Sequence, residues 1–245
     1  MRARAALAVV AFATADGAFG QPVELPPVRY PDLAERAPGA ADFVPAGWTL
    51  LAERRGDLNG DGVADLVLLL RMNDRANVVG VPLGDESRLL DTNPHWLLVA
   101  LAERGGYRRV AQNRDLFPRP AVPWTGDVPP GAETIRLERG SLVVWFEYLR
   151  GWSSYRFRWQ AEAMRLVGYD DGGASGGCVR TISINYLTGR ARLTAAPISS
   201  DRTRSAWRLV RAGPRPSLDT IDVDAFIPEH EIVGPRLTCE GMADE

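Results

Sequence analysis

The clearest chemistry in the chain lies in the stretch 56–70, GDLNGDGVADLVLLL. Asp57, Asn59 and Asp61 recur at every second residue, and Asp65 closes the run. Oxygen donors spaced this way in a tight loop converge on one point, and they suit a hard cation that takes roughly six to eight of them. With Asp57 as position 1, the expected Ca²⁺ ligands are Asp57, Asn59, Asp61, the main-chain carbonyl of Val63 and Asp65. Gly62, at position 6, permits the sharp turn. Position 12 is Leu68, where an EF-hand needs a bidentate Glu, and the run after Asp65 reads as a strand rather than an exit helix. An EF-hand is therefore excluded. The competing reading is a solvated Asn/Asp/Gly turn.

Other chemistry is sparse. All 29 basic residues are Arg, which excludes Schiff-base catalysis, a lysine general base and a P-loop. No G-x-S-x-G, H-E-x-x-H or C-x-x-C occurs. A formal net charge of −2 gives no sign of nucleic-acid binding. Acidic pairs exist at Asp170 and Asp171 and at Glu229 and Glu231, which flank His230. A hydrolase would need two such groups held across a cleft. The reading is therefore non-catalytic, the alternative being a secreted or periplasmic hydrolase using acidic residues near the metal loop.

Aromatic residues offer a second kind of site. Trp145, Tyr148, Trp152, Tyr155 and Trp159 crowd into one segment, and Trp124 sits in a Pro-rich loop. In SYRFRWQ, Tyr155, Phe157 and Trp159 alternate with polar residues, as in a strand with one buried face. Trp152, in the RGWSS stretch, is read as a turn residue with little structural reason to be large and apolar. Trp152 and Tyr148 are thus the candidate contacts for a cell-envelope protein or glycan.

These residues must be positioned by strands. WTLLAERR, DLVLLLR, HWLLVALAE, YRRVAQN, SLVVWFEYL, SYRFRWQ, VRTISINYLTG, RARLTAAP and SAWRLVRA are short apolar or alternating runs broken by Gly, Asn and Asp. The best helix candidate, 32–37, is short. The expected fold is mainly β: an antiparallel sheet or sandwich, or a partial propeller, spanning 48–212. Residues 21–47 read as an extended Pro/Ala-rich arm and 213–245 as a Pro-rich C-terminal extension. Arg2 and Arg4, an apolar run over Ala5–Ala15 and small residues after it make 1–20 a signal peptide. No transmembrane segment is expected after its cleavage. A periplasmic or secreted location follows, and there Cys178 and Cys239 most simply form a disulfide that ties down the extension.

The loop resembles the D-x-[DN]-x-D-G-x-x-D loop of FG-GAP and VCBS-type repeats, which joins two strands and is completed by Asp65. A wider succession covers roughly residues 48–195. It runs from the loop through GYRRVAQN, GSLVVWFEYLRGWSSYRFRW and MRLVGYD to INYLTGR, and is similar to a group of uncharacterised exported bacterial proteins. The resemblance implies a Ca²⁺-binding exported domain and supplies no reaction. FG-GAP repeats usually come in several copies, and GYDDGGASGG (168–177) lacks the alternation of a second one. The Ca²⁺ is expected to serve folding.

Overall fold

The computed structural model describes residues 23–83, 86–122 and 128–240; the expected leader and Trp124 lie outside them. The chain is mainly β, with 51% strand against 7% helix. One sheet holds five strands: β1 (Arg36–Ala37), β2 (Trp48–Gly56), β3 (Asp65–Met72), β6 (His95–Glu103) and β7 (Gly106–Asn113), in the order β1-β7-β6-β3-β2. A small ribbon pairs β4 (Val78–Leu83) with β5 (Glu86–Asp91). The large sheet runs in simple succession through β8 (Ile135–Glu138), β9 (Ser141–Tyr148), β10 (Gly151–Gln160), β11 (Ala163–Ser175), β12 (Cys178–Asn185), β13 (Arg190–Pro197), β14 (Arg204–Val210) and β15 (Ile232–Val233). Pairing is antiparallel throughout.

The two large sheets face one another as a sandwich. Val67, Leu69, Leu97 and Val99 from one sheet share a core with Leu142, Val144, Tyr155 and Phe157 from the other. Tyr155 and Phe157 are buried and Trp159 packs against them, as the alternation of that strand requires. The unbroken apolar run of β3 has a different cause. Its alternate residues Leu66, Leu68 and Leu70 point away from the sandwich and form a second core with Trp96, Leu98 and Ala100 of β6. A strand buried on both faces needs no polar alternation.

What covers that second core is the segment expected to be an unpacked lead-in. Ala37, Ala40 and Phe43 are buried in it, with Tyr30 and Leu33 packed alongside. Tyr30, Trp48 and Trp96 form a cluster with ring centroids 5.4–5.7 Å apart. The Arg114 guanidinium lies 4.6 Å from the Trp96 ring. Each fully buried large side chain of this kind contributes roughly 1.5–3 kcal/mol, so the cover is an integral layer. The helix candidate 32–37 is not helical. Arg36 and Ala37 pair with Arg108 and Tyr107 instead, because a segment this short between Pro31 and Pro38 gains more from a sheet edge than from one helical turn.

The C-terminal segment also packs. Leu218, Ile221, Val223, Phe226, Ile232 and Leu237 lie against the inward face of the large sheet. Cys178, at the start of β12, is bonded to Cys239, with Cα atoms 5.9 Å apart, and holds the end of that segment in place.

Candidate functional site

The loop 57–64 joins β2 to β3, and Gly56 and Asp65 are register partners that close it. Gly60 and Gly62 both adopt positive φ, near +85° and +81°, which a side chain would resist. Between them the acidic residues fold the loop on itself. Asp57 accepts from the Gly60 amide at 2.6 Å and from the Gly62 amide at 2.9 Å. Asn59 Oδ1 accepts from the Asp61 amide, and Asp61 Oδ1 from that of Val63. Asn59 Nδ2 donates to Asp61 Oδ2 at 2.9 Å. Val63 is exposed.

Asp65 differs from the others because it is fully buried. Its carboxylate accepts from the Leu58 amide and, across the sheet, from the Ala102 amide, each at 2.8 Å. Burial pushes the Asp65 carboxyl above its ordinary range, and the negative charges of Asp61 and Asp57 add to this. The Gly62 and Gly60 amides hold Asp57 below it. Among the described residues, no Arg forms an ion pair with Asp57, Asp61 or Asp65.

The donor set suits a hard cation. It is all oxygen, and each carboxylate oxygen keeps a lone pair beyond the amide bond it already accepts. Among the described residues, no group of three or more His, Cys, Asp or Glu side chains is arranged to hold a metal. In this conformation the loop oxygens are turned onto main-chain amides.

The aromatic hairpin departs from expectation. Trp152 is not in a turn: it lies within β10, paired with Glu147 on one side and Gly172 on the other. Its ring stacks on Trp145, with centroids 4.5 Å apart and planes 13° from parallel. The Arg136 guanidinium lies 4.9 Å from the Trp145 ring. A Cβ on Gly172 would meet three atoms of the Trp152 ring at 2.9–3.1 Å, so that glycine provides the floor. The ladder Arg136–Trp145–Trp152–Gly172 crosses four neighbouring strands and occupies the ring faces. Tyr148 belongs to the opposite face of the hairpin; its hydroxyl lies 3.0 Å from Ser153 Oγ. The two candidate contact residues thus sit on opposite strand faces, yet both line one open cavity at the turn end of the hairpin, with Trp145 and Glu147. Ser153 and Ser154 are buried strand residues.

Two polar groupings join residues that the sequence does not pair. Asn77, Thr92 and Asn93 are buried, and Arg119 donates to the Thr92 carbonyl at 2.6 Å, to Asn77 Oδ1 at 3.0 Å and to the Pro26 carbonyl at 2.7 Å. This network anchors the β4–β5 ribbon, which Gly80 and Pro82 disguise in the sequence. Beside it, burial and the Arg71 guanidinium lower the His95 pKa to about 4. Elsewhere, Asp171 of β11 and Glu229 of the C-terminal segment line one cavity of about 210 Å³. Burial, reinforced by the Glu229 charge, raises the Asp171 pKa, and the Tyr169 hydroxyl donates to Asp171 at 3.4 Å. Their separation of some 58 positions hides this pair from any local motif. Set against known proteins, the chain matches no family model, no curated protein and no solved structure.

Proposed function

We propose that this is an exported, non-catalytic Ca²⁺-binding protein of the kind carrying a single FG-GAP/VCBS-like loop, in which the cation serves folding. The observation that carries the reading is the cluster at 57–65: three carboxylates, one of them raised by burial and further by the charge of the other two, and none ion-paired with an Arg among the described residues. A divalent cation held by Asp57, Asn59, Asp61, Asp65 and the Val63 carbonyl would offset that repulsion. It would supply charge neutralisation and loop rigidity. The loop's own residues supply the rest: Gly60 and Gly62 set the turn, and Asp65 fastens it to β6. Extracellular modules work with Ca²⁺ affinities around 10⁻⁴–10⁻³ M, which keeps them loaded outside a cell. A ligand that binds only the folded state stabilises it by RT ln(1 + [L]/Kd).

The test is thermal unfolding of the protein without its leader, in EDTA against millimolar Ca²⁺, for the parent and Asp61→Ala. A Ca²⁺-dependent rise in Tm that the substitution abolishes supports the reading. An identical Tm in both buffers refutes it. Partner contact through the hairpin, with a cell-envelope protein or glycan, then falls to the half-exposed Tyr148 and the edges of Trp145 and Trp152, because their ring faces are occupied.

A hydrolase is the second reading, favoured by Asp171 and Glu229 in one cavity with a raised Asp171. That cavity includes Arg150, at the β9–β10 turn, whereas the Asp57 carbonyl lies against Gly140 at the β8–β9 turn. The pair is thus near the opposite end of β9 from the loop, roughly 25 Å away at strand rise. Turnover of a chromogenic glycoside or ester that Asp171→Asn eliminates would establish this reading in place of the first.

A further inference from the structure

The outward face of the large sheet ends in an apolar corner. Trp207 and Leu209 of β14 are 64% and 65% exposed, Val233 of β15 is 49% exposed, and Leu187 in the β12–β13 turn is 56% exposed. Their strand neighbours identify the face. Ala191 and Leu193 are buried inward, so Arg190 and Arg192 point outward, and these pair directly with Leu209 and Trp207. Val233 sits opposite Leu209. Trp207 and Leu209 are about 7 Å apart along one strand face, and Val233 about 5 Å from Leu209. The turn carrying Leu187 leads straight into Arg190.

The corner is also basic. Arg190, Arg192 and Arg211 are exposed, and among the described residues their side chains make no hydrogen bond or ion pair. Glu231, two residues before Val233, is ion-paired with Arg215 at 2.5 Å, and Asp170, on the same outward face in register with Arg192 through Ser183, lies two strands and about 10 Å away. Asp201, before the start of β14, is roughly 20 Å from Trp207 at strand rise. A protein of net charge −2 thus carries a local patch of guanidinium groups that form no ion pair among the described residues, interleaved with exposed hydrocarbon.

Each half of that pattern asks for something different. Unpaired guanidinium groups favour anionic oxygens, whereas Trp, Leu and Val favour hydrocarbon, and Trp in particular favours the boundary between headgroups and acyl chains. A nucleic acid supplies the anions without the hydrocarbon. A second copy of the corner would set guanidinium against guanidinium. We propose that this corner docks the protein on an anionic phospholipid surface, with Trp207, Leu209, Val233 and Leu187 at the headgroup boundary and Arg190, Arg192 and Arg211 against phosphates. The inference is independent of the calcium loop.

The experiment is co-sedimentation of the protein with phosphatidylcholine vesicles, with and without about a third phosphatidylglycerol, in EDTA so that the loop contributes nothing. The parent sediments with the anionic vesicles and not with the neutral ones, and added salt releases it. Trp207→Ser lowers partitioning at least ~5-fold, and Arg190→Gln with Arg192→Gln at least ~10-fold. Quenching of tryptophan emission by brominated lipid is lost in Trp207→Phe. All these positions are exposed, so the variants keep the parent Tm. No sedimentation with anionic vesicles overturns the proposal, as does equal sedimentation with neutral ones. Sedimentation unchanged by both sets of substitutions also overturns it by placing contact elsewhere. Binding to soluble heparin but not to vesicles, or a dimer that Trp207→Ser dissolves, overturns it in favour of a polyanion or a second copy.

Discussion

Replacing Asp65 by Ala removes an acceptor shared by two buried amides. Leu58 N–H and Ala102 N–H each donate to this carboxylate at 2.8 Å, and Asp65 is fully buried. Truncation leaves both amides without an acceptor, at ~1–3 kcal/mol each. Part of this is returned, because burial and two neighbouring negative charges already disfavour the ionised Asp65. A net loss of about 3 kcal/mol results, and at ~2–4 °C per kcal/mol for a chain of this size the Tm falls by ~6–12 °C. Asp65→Asn keeps one acceptor oxygen but turns an NH₂ group toward the other amide, so it costs about half as much. Calorimetry in EDTA isolates this scaffold effect from any metal. Hydrogen exchange at Ala102 and Leu58 should accelerate in parallel. An Asp65→Ala protein within ~0.5 kcal/mol of the parent in EDTA would refute the reasoning that this carboxylate fastens the loop to β6.

Three further outcomes are expected. Because the buried His95 titrates near 4 rather than 6.5, the unfolded chain takes up a proton in that interval that the folded chain refuses. Stability is full above pH 6.5 and falls by about 3 kcal/mol as the pH drops to 4; urea midpoints at pH 7.5 and 4.5 measure the slope, which His95→Gln removes. Cys178→Ser with Cys239→Ser opens a link spanning 61 residues and costs about 4 kcal/mol by loop entropy, read as a lower Tm that the parent reproduces under reducing conditions. Gly172→Ala drives a Cβ into the Trp152 ring, costs ~1–3 kcal/mol and abolishes the near-ultraviolet dichroism of the stacked pair, whereas Gly213→Ala, in open space, changes neither.

The strands of both large sheets follow from local pattern. WTLLAERR, DLVLLLR and SYRFRWQ fall inside β2, β3 and β10, and the glycine-flanked loop after Gly56 joins two paired strands. Tertiary context decides what pattern alone misreads. Trp152 follows Gly151 in a stretch that reads as a turn, yet the turn is confined to Leu149 and Arg150, and a glycine on the next strand makes room for its ring. The burial of residues 30–43 depends on β3 and β6 having a second apolar face, which a continuous run permits but does not announce. Asp65 looked like one ligand among five; its bond to Ala102 spans 37 positions. The Arg-rich corner is invisible in a net charge of −2, because strand alternation, not composition, gathers Arg190 and Arg192 beside Trp207.

The covering layer formed by residues 23–43 has a kinetic consequence. Pro26 is held by Arg119 across 93 positions, and Leu33 by Arg109 across 76. None of the partners of this layer exists when its own residues emerge from the ribosome. Loop closure over such separations is slow, and contacts of high sequence separation slow folding as a whole. The layer therefore waits, with Tyr30 and Phe43 uncovered, until β3, β6 and the 114–119 segment have been made. A nascent chain halted before residue 119 should stay protease-sensitive along its whole length, and the part synthesised first is among the last to find its place.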